Sequence, residues 1–508
     1  MSCFRNTCTL SMWSIAFFDV VQCPGPEHKF QELRMRINAH CHVFNLQSVF
    51  TPGTKKILEN RLRALLKDFA ILLQPVLDFV EVIIVNSRAA TLSTPDDPAR
   101  LFSETLDRYR RPEVDELRTA LQETIARLDH RRRFSIAGFL EDLFSAPASV
   151  TLLDIAGFIS VGFSPNMDEV TDNLFHAMAK GLESAGIHDD ELIIVPLMMD
   201  ILSGNWSDYG GEVEDIPDDR RDTAEKELAV FETQRQGTTR QCLRYPGRVL
   251  PFYAVNPWRP GWFTDFVKAI EHGGFVGLKA YPSLGYLVGD IAEALDYCNT
   301  HGIPVMTHCN DGGFKNDAGY EKLCMPCEWE RVLDAHKLDN LRLCFGHCGG
   351  DNKFLPRAKD RSKWLSEIKN MMSKRPGKIY ADVSYHTVGM GLNWFDKSDY
   401  FHMLESMLTP LDGCYSTQIL FGTDYFLSML NLREDEYWPY FADHLSPAQF
   451  DQITSTNPAA FLGLDPQHPD NSTENITQHI DWLRRKRDEG LWATDAKPAN
   501  WLRNAKGF

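Results

Sequence analysis

After residue 190 the chain repeats one pattern: a short apolar run rich in β-branched residues, a polar or glycine-rich corner, and a longer stretch with helical spacing. Seven such runs occupy residues 192–197, 249–255, 275–281, 303–309, 341–347, 379–385 and 419–425, and an eighth, residues 36–42, precedes them. Near-continuous apolar strands that alternate with helices are typical of parallel strands covered on both faces. Eight of them predict an α/β fold, a (β/α)₈ TIM barrel.

A long segment separates the first two predicted strands. Residues 46–190 greatly exceed the roughly 30 to 40 residues of a normal strand–helix–strand unit, and apolar spacing predicts helices over residues 55–79, 113–132 and 167–185. We interpret this large helical insertion after strand one as a cap over the catalytic face of the barrel; a purely structural subdomain is the alternative. Residues 81–86 also have the composition of a strand, and if they form the second barrel strand, the register of strands two and three shifts.

The predicted organisation therefore has three parts. An N-terminal extension (1–34) precedes the barrel (35–463), which contains the cap insertion (46–190). A C-terminal tail (464–508) follows, with a helix predicted around residues 480–489.

Composition narrows the class of protein. Hydrophobic residues make up 43% of the 508 residues and charged residues 24%, as in a folded water-soluble protein. The net charge of −17 would repel a phosphate backbone, which argues against a nucleic-acid partner. No apolar stretch approaches the roughly 20 residues that a membrane span needs. Twelve cysteines are too few for a disulfide scaffold in a chain this long, and several lie within apolar runs, so we predict a reducing, cytoplasmic location.

Polar residues end several of the predicted strands, which is the catalytic end of a barrel. His40 and His42 end the first strand and, two residues apart, share one face of it. The others are Lys279 on the fourth strand, His308 on the fifth, His347 on the sixth and Asp424 on the eighth. Buried imidazoles and carboxylates are costly unless they are paired or bind a cation, so one shared metal ion accounts for the set.

Five motifs together resemble the amidohydrolase superfamily, and in particular its "amidohydrolase 2" branch of hydrolases and nonoxidative decarboxylases. The motifs are His-x-His at residues 40–42, Val-Met-Thr-His at 305–308, Phe-Gly-His-Cys-Gly-Gly at 345–350, Phe-Gly-Thr-Asp at 421–424 and Asn-Pro-Ala-Ala-Phe-Leu-Gly at 457–463. The resemblance spans residues 35–463 and leaves the insertion and both tails unexplained.

This resemblance implies a site. His40, His42, His308 and Asp424 would bind one divalent metal ion, Zn²⁺ in the first place, with Mn²⁺, Fe²⁺ or Co²⁺ as alternatives. Asp424 would also shuttle a proton, and His347 would be the general acid/base.

Lys279 is the pivotal residue for the metal count. In binuclear members of the superfamily a carboxylated lysine of strand four bridges two metal ions. We favour a single ion, with the amine of Lys279 free to bind substrate.

Three further residues are candidates for substrate binding. Arg259 offers a guanidinium suited to a carboxylate, and Tyr281 and Asn310 lie just past strand ends. The predicted activity is that of a metal-dependent hydrolase, in which metal-activated hydroxide attacks an amide, ester or lactone of a small molecule. A nonoxidative decarboxylase of an aromatic or unsaturated acid is the alternative, and a catalytically inactive binding barrel is the third. The resemblance suggests a homodimer.

Overall fold

The computed structural model describes residues 35–57, 167–187, 189–209, 213–313, 315–317, 319–388, 394–409, 415–425 and 434–508. The predicted helices 55–79 and 113–132 and the alternative strand 81–86 lie mainly or wholly outside the described residues. The N-terminal extension and most of the predicted cap (46–190) also lie outside them.

All eight apolar runs form strands. They are β1 (Arg36–Cys41), β2 (Leu192–Pro196), β3 (Phe252–Val255), β4 (Gly277–Ala280), β5 (Val305–Asn310), β6 (Leu343–Gly349), β7 (Ile379–Asp382) and β8 (Ile419–Leu420). Every strand residue is buried except Asn310, which is half-buried at the end of β5. Strands that are buried on both faces need a filled barrel interior on one side and helices on the other.

The strands pair in parallel with their neighbours in the chain. β3 to β8 form a six-stranded sheet in sequential order, and β1 pairs with β2. Isolated bridges join these two sheets on both sides, Leu197 with Phe252 between β2 and β3 and Cys41 with Tyr425 beside β8. The chain therefore folds as the predicted (β/α)₈ TIM barrel, in which the β1–β2 pair is attached through two seams.

Helices alternate with the strands. They are α1 (Leu46–Val49), α2 (Met167–Gly181), α3 (Asp218–Arg244), α4 (Trp262–His272), α5 (Ala292–His301), α6 (Pro326–His336), α7 (Leu365–Lys374), α8 (Trp394–Leu408), α9 (Glu434–His444), α10 (Pro447–Asp451), α11 (Asn457–Leu462) and α12 (Glu474–Asp488). In α2, Val170, Leu174 and Met178 recur at helical spacing and are all buried. The amphipathic helix predicted over residues 167–185 is thus α2 followed by a 3₁₀ turn, Glu183–Ala185.

The segment after α11 packs on the start of the barrel strands. Asn475 in α12 donates a hydrogen bond to the Val276 carbonyl (2.7 Å), and Trp501 donates one to the Gly247 carbonyl (2.9 Å). Both carbonyls precede strands, so this segment lies at the end of the barrel opposite to the polar strand ends.

The eight described cysteines are all free thiols, and all except Cys327 are buried. No helix in the described part of the chain has the length and apolar character needed to cross a membrane.

Candidate metal centre

The histidines and the aspartate predicted at the strand ends meet in one place. His40 lies in β1 with His42 just beyond it, His308 lies in β5, His347 lies in β6 and Asp424 follows β8. All five residues are buried, with an exposed fraction of 5% or less. They meet because the carboxyl ends of parallel strands in a barrel share one face.

The tightest group within this cluster is His40, His347 and Asp424, whose ligand atoms lie within 4.8 Å of one another. The His42 Nε2 atom lies 3.3 Å from Asp424 Oδ1, and the His40 Nε2 atom lies 3.5 Å from the same oxygen. The His308 ring flanks the group, with its centroid 5.0 Å from that of His347. The structure therefore brings together all four predicted ligands and the predicted acid/base. His347, which is not among the predicted ligands, lies in the tightest group together with His40 and Asp424.

Three atoms of the cluster have no hydrogen-bond partner among the described residues. They are Nε2 of His40, Nε2 of His308 and Oδ1 of Asp424, and all three are buried. A buried polar atom left unsatisfied costs about 1–3 kcal/mol. A cation would satisfy all three, and a donor set of imidazole nitrogen and carboxylate oxygen fits a borderline divalent ion.

A carboxylate absent from the sequence prediction orients two of the histidines. Asp382, the last residue of β7, has its Oδ2 2.8 Å from His40 Nδ1. Its Oδ1 accepts hydrogen bonds from the backbone N–H groups of His347 (2.9 Å) and Ser384 (3.0 Å), and from the Ser384 hydroxyl. Asp382 is the polar residue inside the apolar run 379–385, so the signal that identified the other strand-end residues was also present here.

Hydrogen bonds fix which imidazole nitrogens carry a proton. The Leu197 carbonyl (2.8 Å) can only accept, so His42 must donate to it through Nδ1. The Ser384 carbonyl (3.1 Å) accepts from His347 Nδ1 in the same way. His40 Nδ1 faces its carboxylate partner, so in its neutral form each of these rings has the Nε2 lone pair available for another ligand.

Burial sets the protonation states of the cluster. It lowers the pKa of His40 to about 4, although the nearby Asp382 opposes the shift. Burial, with the neighbouring charges of His347 and Lys279, holds the pKa of His308 well below its usual value. Burial works against ionisation of Asp382, but the adjacent His40 ring and its hydrogen bonds keep the pKa of that carboxyl below its usual value. Neutral imidazoles and ionised carboxylates are the forms that bind metal ions.

Two glycines make room for His40. A Cβ atom at Gly422 would lie 2.5 Å from the His40 Cβ, and one at Gly346 would lie 2.9 Å from the His40 Cε1. Neither position accepts a side chain unless its neighbours move. The glycines of the Phe-Gly-His and Phe-Gly-Thr-Asp motifs are therefore required by the space that His40 occupies.

The backbone is left-handed at three strand ends of the cluster. The φ angle is 62° at His347, 56° at Tyr385 and 57° at Asp424. Non-glycine residues in this region store about 1–3 kcal/mol of strain each, and such residues concentrate at functional sites. The hydrogen bond from the His347 N–H to Asp382 helps to hold one of these turns.

The cluster opens into a pocket of about 210 Å³. Besides the five clustered residues, its wall includes Tyr281, Asn310, Asp311, Asp351, Asn352 and Tyr385. Two of the three predicted substrate-binding residues, Tyr281 and Asn310, thus line the pocket. The Tyr281 ring stacks on His308, with 4.2 Å between the centroids and 8° between the planes.

Lys279, in β4, lies beside this pocket. Its side chain is buried, its Nζ has no hydrogen-bond partner in the described part of the chain, and that nitrogen lies 5.6 Å from the Tyr281 ring centroid. Burial lowers the pKa of Lys279 to about 8, although Asp382 and Asp424 oppose the shift.

Arg259 lies apart from the described wall of the pocket. Its guanidinium forms a buried two-point ion pair with Asp200, with Nε–Oδ2 at 2.7 Å and Nη2–Oδ1 at 2.5 Å, and it sits 4.0 Å above the Phe231 ring centroid. Arg259, which was predicted to bind a substrate carboxylate, is thus paired with a carboxylate of the protein itself.

A parallel barrel with imidazole and carboxylate donors grouped at its strand ends is the architecture of a metal-dependent enzyme. The sequence model of the amidohydrolase family matches residues 211–464, half of the chain, and the chain belongs to that family. Members of the family depend on metal ions. No curated protein sequence matches the chain.

Several solved structures are similar to this chain. One is 2,6-dihydroxybenzoate decarboxylase from Rhizobium, with 14% identity, a TM-score of 0.35 and coverage of 56% of this chain and 86% of the other. A probable 2-pyrone-4,6-dicarboxylic acid hydrolase from Acinetobacter baumannii has 12% identity, a TM-score of 0.37 and coverage of 57% and 89%. A 4-oxalomesaconate hydratase from Rhodopseudomonas palustris has 11% identity, a TM-score of 0.40 and coverage of 90% and 99%. Their names describe three different reactions.

Proposed function

We propose that this chain is a metal-dependent hydrolase that cleaves an uncharged small molecule at an amide, ester or lactone carbonyl. The observation that carries the proposal is the convergence of three buried, unpartnered donor atoms, on His40, His308 and Asp424, beside the pocket.

In this proposal His40, His42, His308 and Asp424 hold one divalent ion, Zn²⁺ in the first place, with Mn²⁺, Fe²⁺ or Co²⁺ as alternatives. Support comes from the proton positions, because His40 and His42 both have a partner at Nδ1 and turn Nε2 towards Asp424 Oδ1. Once bound, the ion lowers the pKa of a coordinated water and polarises a substrate oxygen.

His347 and Asp424 are the residues that we propose to move protons. The His347 ring has its Nδ1 hydrogen bonded to Ser384, so its Nε2 is the atom that exchanges a proton with water or with the leaving group. Asp424 keeps one oxygen without a partner, next to His40 and His42. It is the carboxylate of the proposed ligand set, and it could take the proton of an attacking water.

The charge of the pocket favours an uncharged substrate. Its described wall includes no lysine or arginine, and the Lys353 ammonium behind it is paired with Asp311 (2.7 Å). A substrate carboxylate would therefore find no unpaired basic side chain in the described wall, whereas an amide, ester or lactone needs none.

A nonoxidative decarboxylase remains the second candidate because of Lys279. Its buried Nζ lies near the pocket without a hydrogen-bond partner among the described residues, and an ammonium there would pair with the carboxylate of an aromatic or unsaturated acid. Burial lowers the pKa of Lys279 to about 8, so the amine still carries its proton at neutral pH. We favour hydrolysis because Lys279 is not part of the described wall of the pocket.

Two measurements test the proposal. Elemental analysis of protein purified without chelators should find about one transition-metal ion per chain, and the ion should raise the melting temperature of protein that has been stripped of metal. A panel of lactones, esters and amides turned over in H₂¹⁸O should give a product that carries the label. A protein that neither retains nor responds to Zn²⁺, Mn²⁺, Fe²⁺ or Co²⁺ contradicts the metal centre, and carbon dioxide release from hydroxybenzoates without hydrolysis selects the decarboxylase.

We further propose a cytoplasmic location, in keeping with the free thiols of the described cysteines, and a homodimer. Light scattering of the purified protein measures the second directly. The helical cap over residues 46–190 also stays a proposal.

A further inference from the structure

Two histidines of the centre share one partner. Asp382 and Ser384 are both fully buried, and together they contact His40 and His347. Oδ2 of Asp382 lies 2.8 Å from His40 Nδ1, whereas Oδ1 accepts the hydrogen bonds of the Ser384 hydroxyl and of the His347 backbone N–H (2.9 Å). The Ser384 Oγ lies 2.9 Å from His347 Nδ1 and 3.1 Å from His40 Nδ1.

The number of available protons shows which group donates and which accepts in each of these hydrogen bonds. The hydroxyl of Ser384 has one proton, which goes to the Asp382 carboxylate, so its lone pairs accept from His347 Nδ1–H, which the Ser384 carbonyl (3.1 Å) also accepts. His40 donates its own Nδ1–H directly to the other carboxylate oxygen. Both Nδ1–H groups are therefore linked by hydrogen bonds to the Asp382 carboxylate. The link from His40 is direct, and the link from His347 passes through the Ser384 hydroxyl.

We infer that Asp382 and Ser384 form a positioning pair that fixes the orientation and tautomer of His40 and His347 together. The inference rests on the proposed function, in which His40 is a metal ligand and His347 the acid/base. Asp382 touches both histidines, and Ser384 extends it to His347. The orientation of the metal ligand and that of the acid/base are thus set by two neighbouring residues that are hydrogen bonded to each other.

The substitution Asp382→Asn tests the pair because an amide cannot replace both oxygens. If the asparagine oxygen faces His40, the asparagine NH₂ group points at the three groups that now donate hydrogen bonds to Oδ1. If the amide is rotated by 180°, the NH₂ group instead points at His40 Nδ1–H. Ser384→Ala removes the hydroxyl that contacts both Nδ1 atoms and leaves the Ser384 carbonyl as the acceptor for His347 Nδ1–H. Cys344→Ala is the matched control, since it removes a sulfur that lies 3.8 Å from the same carboxylate without linking it to a histidine.

Two readouts separate the outcomes in the full-length protein: Zn²⁺ affinity by competition with a chelator, and imidazole tautomers by NMR of the metal-free protein with ¹⁵N-labelled histidine. We expect Asp382→Asn to lose roughly 10- to 100-fold in Zn²⁺ affinity and to change the signals of both His40 and His347. Ser384→Ala should shift the His347 Nδ1 signal because one acceptor is lost, keep the tautomer because the Ser384 carbonyl remains, and leave Zn²⁺ affinity within about threefold of wild type. Cys344→Ala should change neither the histidine signals nor the Zn²⁺ affinity.

The inference is overturned if Asp382→Asn keeps both tautomers and its Zn²⁺ affinity, or if Ser384→Ala leaves the His347 signal as in wild type. Should Asp382→Asn fail to fold, the Ser384→Ala spectrum alone decides. The two proposals can also be told apart. If the wild-type protein binds no metal but shows both Nδ1–H tautomers, and if the histidine NMR signals change in the variants as expected, the result contradicts the proposed function and supports the positioning pair.

Discussion

Gly422 lies against His40 so closely that a Cβ atom on the glycine would come within 2.5 Å of the Cβ of the histidine and 3.0 Å of its backbone nitrogen. The two residues belong to strand ends that meet at one seam of the barrel, so His40 can keep its place only while position 422 has no side chain.

We therefore predict that Gly422→Ala displaces His40. The overlap is with the main chain and Cβ, so a rotamer change cannot relieve it, and we expect a loss of about 1–3 kcal/mol in the free energy of unfolding together with a loss of bound metal. Denaturant unfolding and elemental analysis measure the two effects. Gly289→Ala is the control, because a Cβ there meets nothing within 4 Å. Wild-type stability and metal content in Gly422→Ala would contradict the prediction.

His308 and His347 should respond differently to replacement by alanine. His308 Nε2 is buried without a partner, as expected for a ligand, whereas His347 is held at Nδ1 by Ser384. His308→Ala should lose most of its metal, while His347→Ala should keep the metal and lose about 10²- to 10⁴-fold in kcat. Metal content and steady-state kinetics on one substrate decide. The opposite pattern would make His347 the ligand.

Glu434 makes stability depend on pH. This buried carboxyl accepts hydrogen bonds from Trp438 (2.8 Å) and Asn38 (3.2 Å), but its Oε2 has no partner among the described residues. Burial raises the pKa of Glu434 to about 7 from its ordinary value of 4.5. Between these values the folded protein keeps the proton and the unfolded chain loses it, so stability falls as pH rises through this window.

Glu434→Gln removes that dependence. Relative to wild type, the variant should gain about 2 to 3 kcal/mol in the free energy of unfolding between pH 4.5 and pH 8. Denaturant unfolding at both pH values measures it, with Glu225→Gln on the exposed face of α3 as the control. An equal difference from wild type at the two pH values would show that folding does not raise the pKa of Glu434.

Arg259 should prove structural. Removal of one member of a buried ion pair costs about 3–5 kcal/mol because the other charge is left uncompensated. Arg259→Met and Asp200→Leu should each destabilise by about this amount, and the double variant by clearly less than their sum. Had Arg259 bound substrate, Arg259→Met would be stable and would change mainly KM.

Lys279→Met separates the two candidate reactions. The hydrolysis of an uncharged substrate should fall by less than about tenfold, since no charge on that substrate needs the ammonium. Decarboxylation should fall by about 100-fold or more, because one partner of a buried charge pair is removed. Metal content provides a second reading: one ion per chain before and after the change agrees with a single-ion site, whereas the loss of a second ion identifies Lys279 as a bridge.

The sequence predicted the barrel because strands and their polar ends depend on local order along the chain. Apolar runs with a polar end identify strands and their catalytic face together, as with His308 and Asp424. Asp382 carried the same signal inside its run, but no pattern in the sequence says that a carboxylate will face His40, 342 residues away.

Arg259 shows a second limit of prediction from the sequence, because its partner could not be foreseen. Its position after the third strand suggested a free guanidinium, yet Asp200, 59 residues earlier, neutralises it. Pairing between distant charged residues depends on tertiary packing, which periodicity does not encode.

Because the two sheets of the barrel join at two seams, a bound metal ion should also hold the sheets together. His40 lies in the two-stranded sheet and His42 just beyond it, whereas His308 and the segment that carries Asp424 belong to the six-stranded one. Among the described residues the two sheets are connected by isolated bridges, backbone hydrogen bonds and side-chain hydrogen bonds such as that of His40 with Asp382, and not by a continuous ladder. An ion held by all four side chains crosslinks the sheets, so its binding energy also closes the ring. Amide hydrogens of β1 and β2 should then exchange faster when metal is withdrawn, while those of β4 to β6 keep their rates.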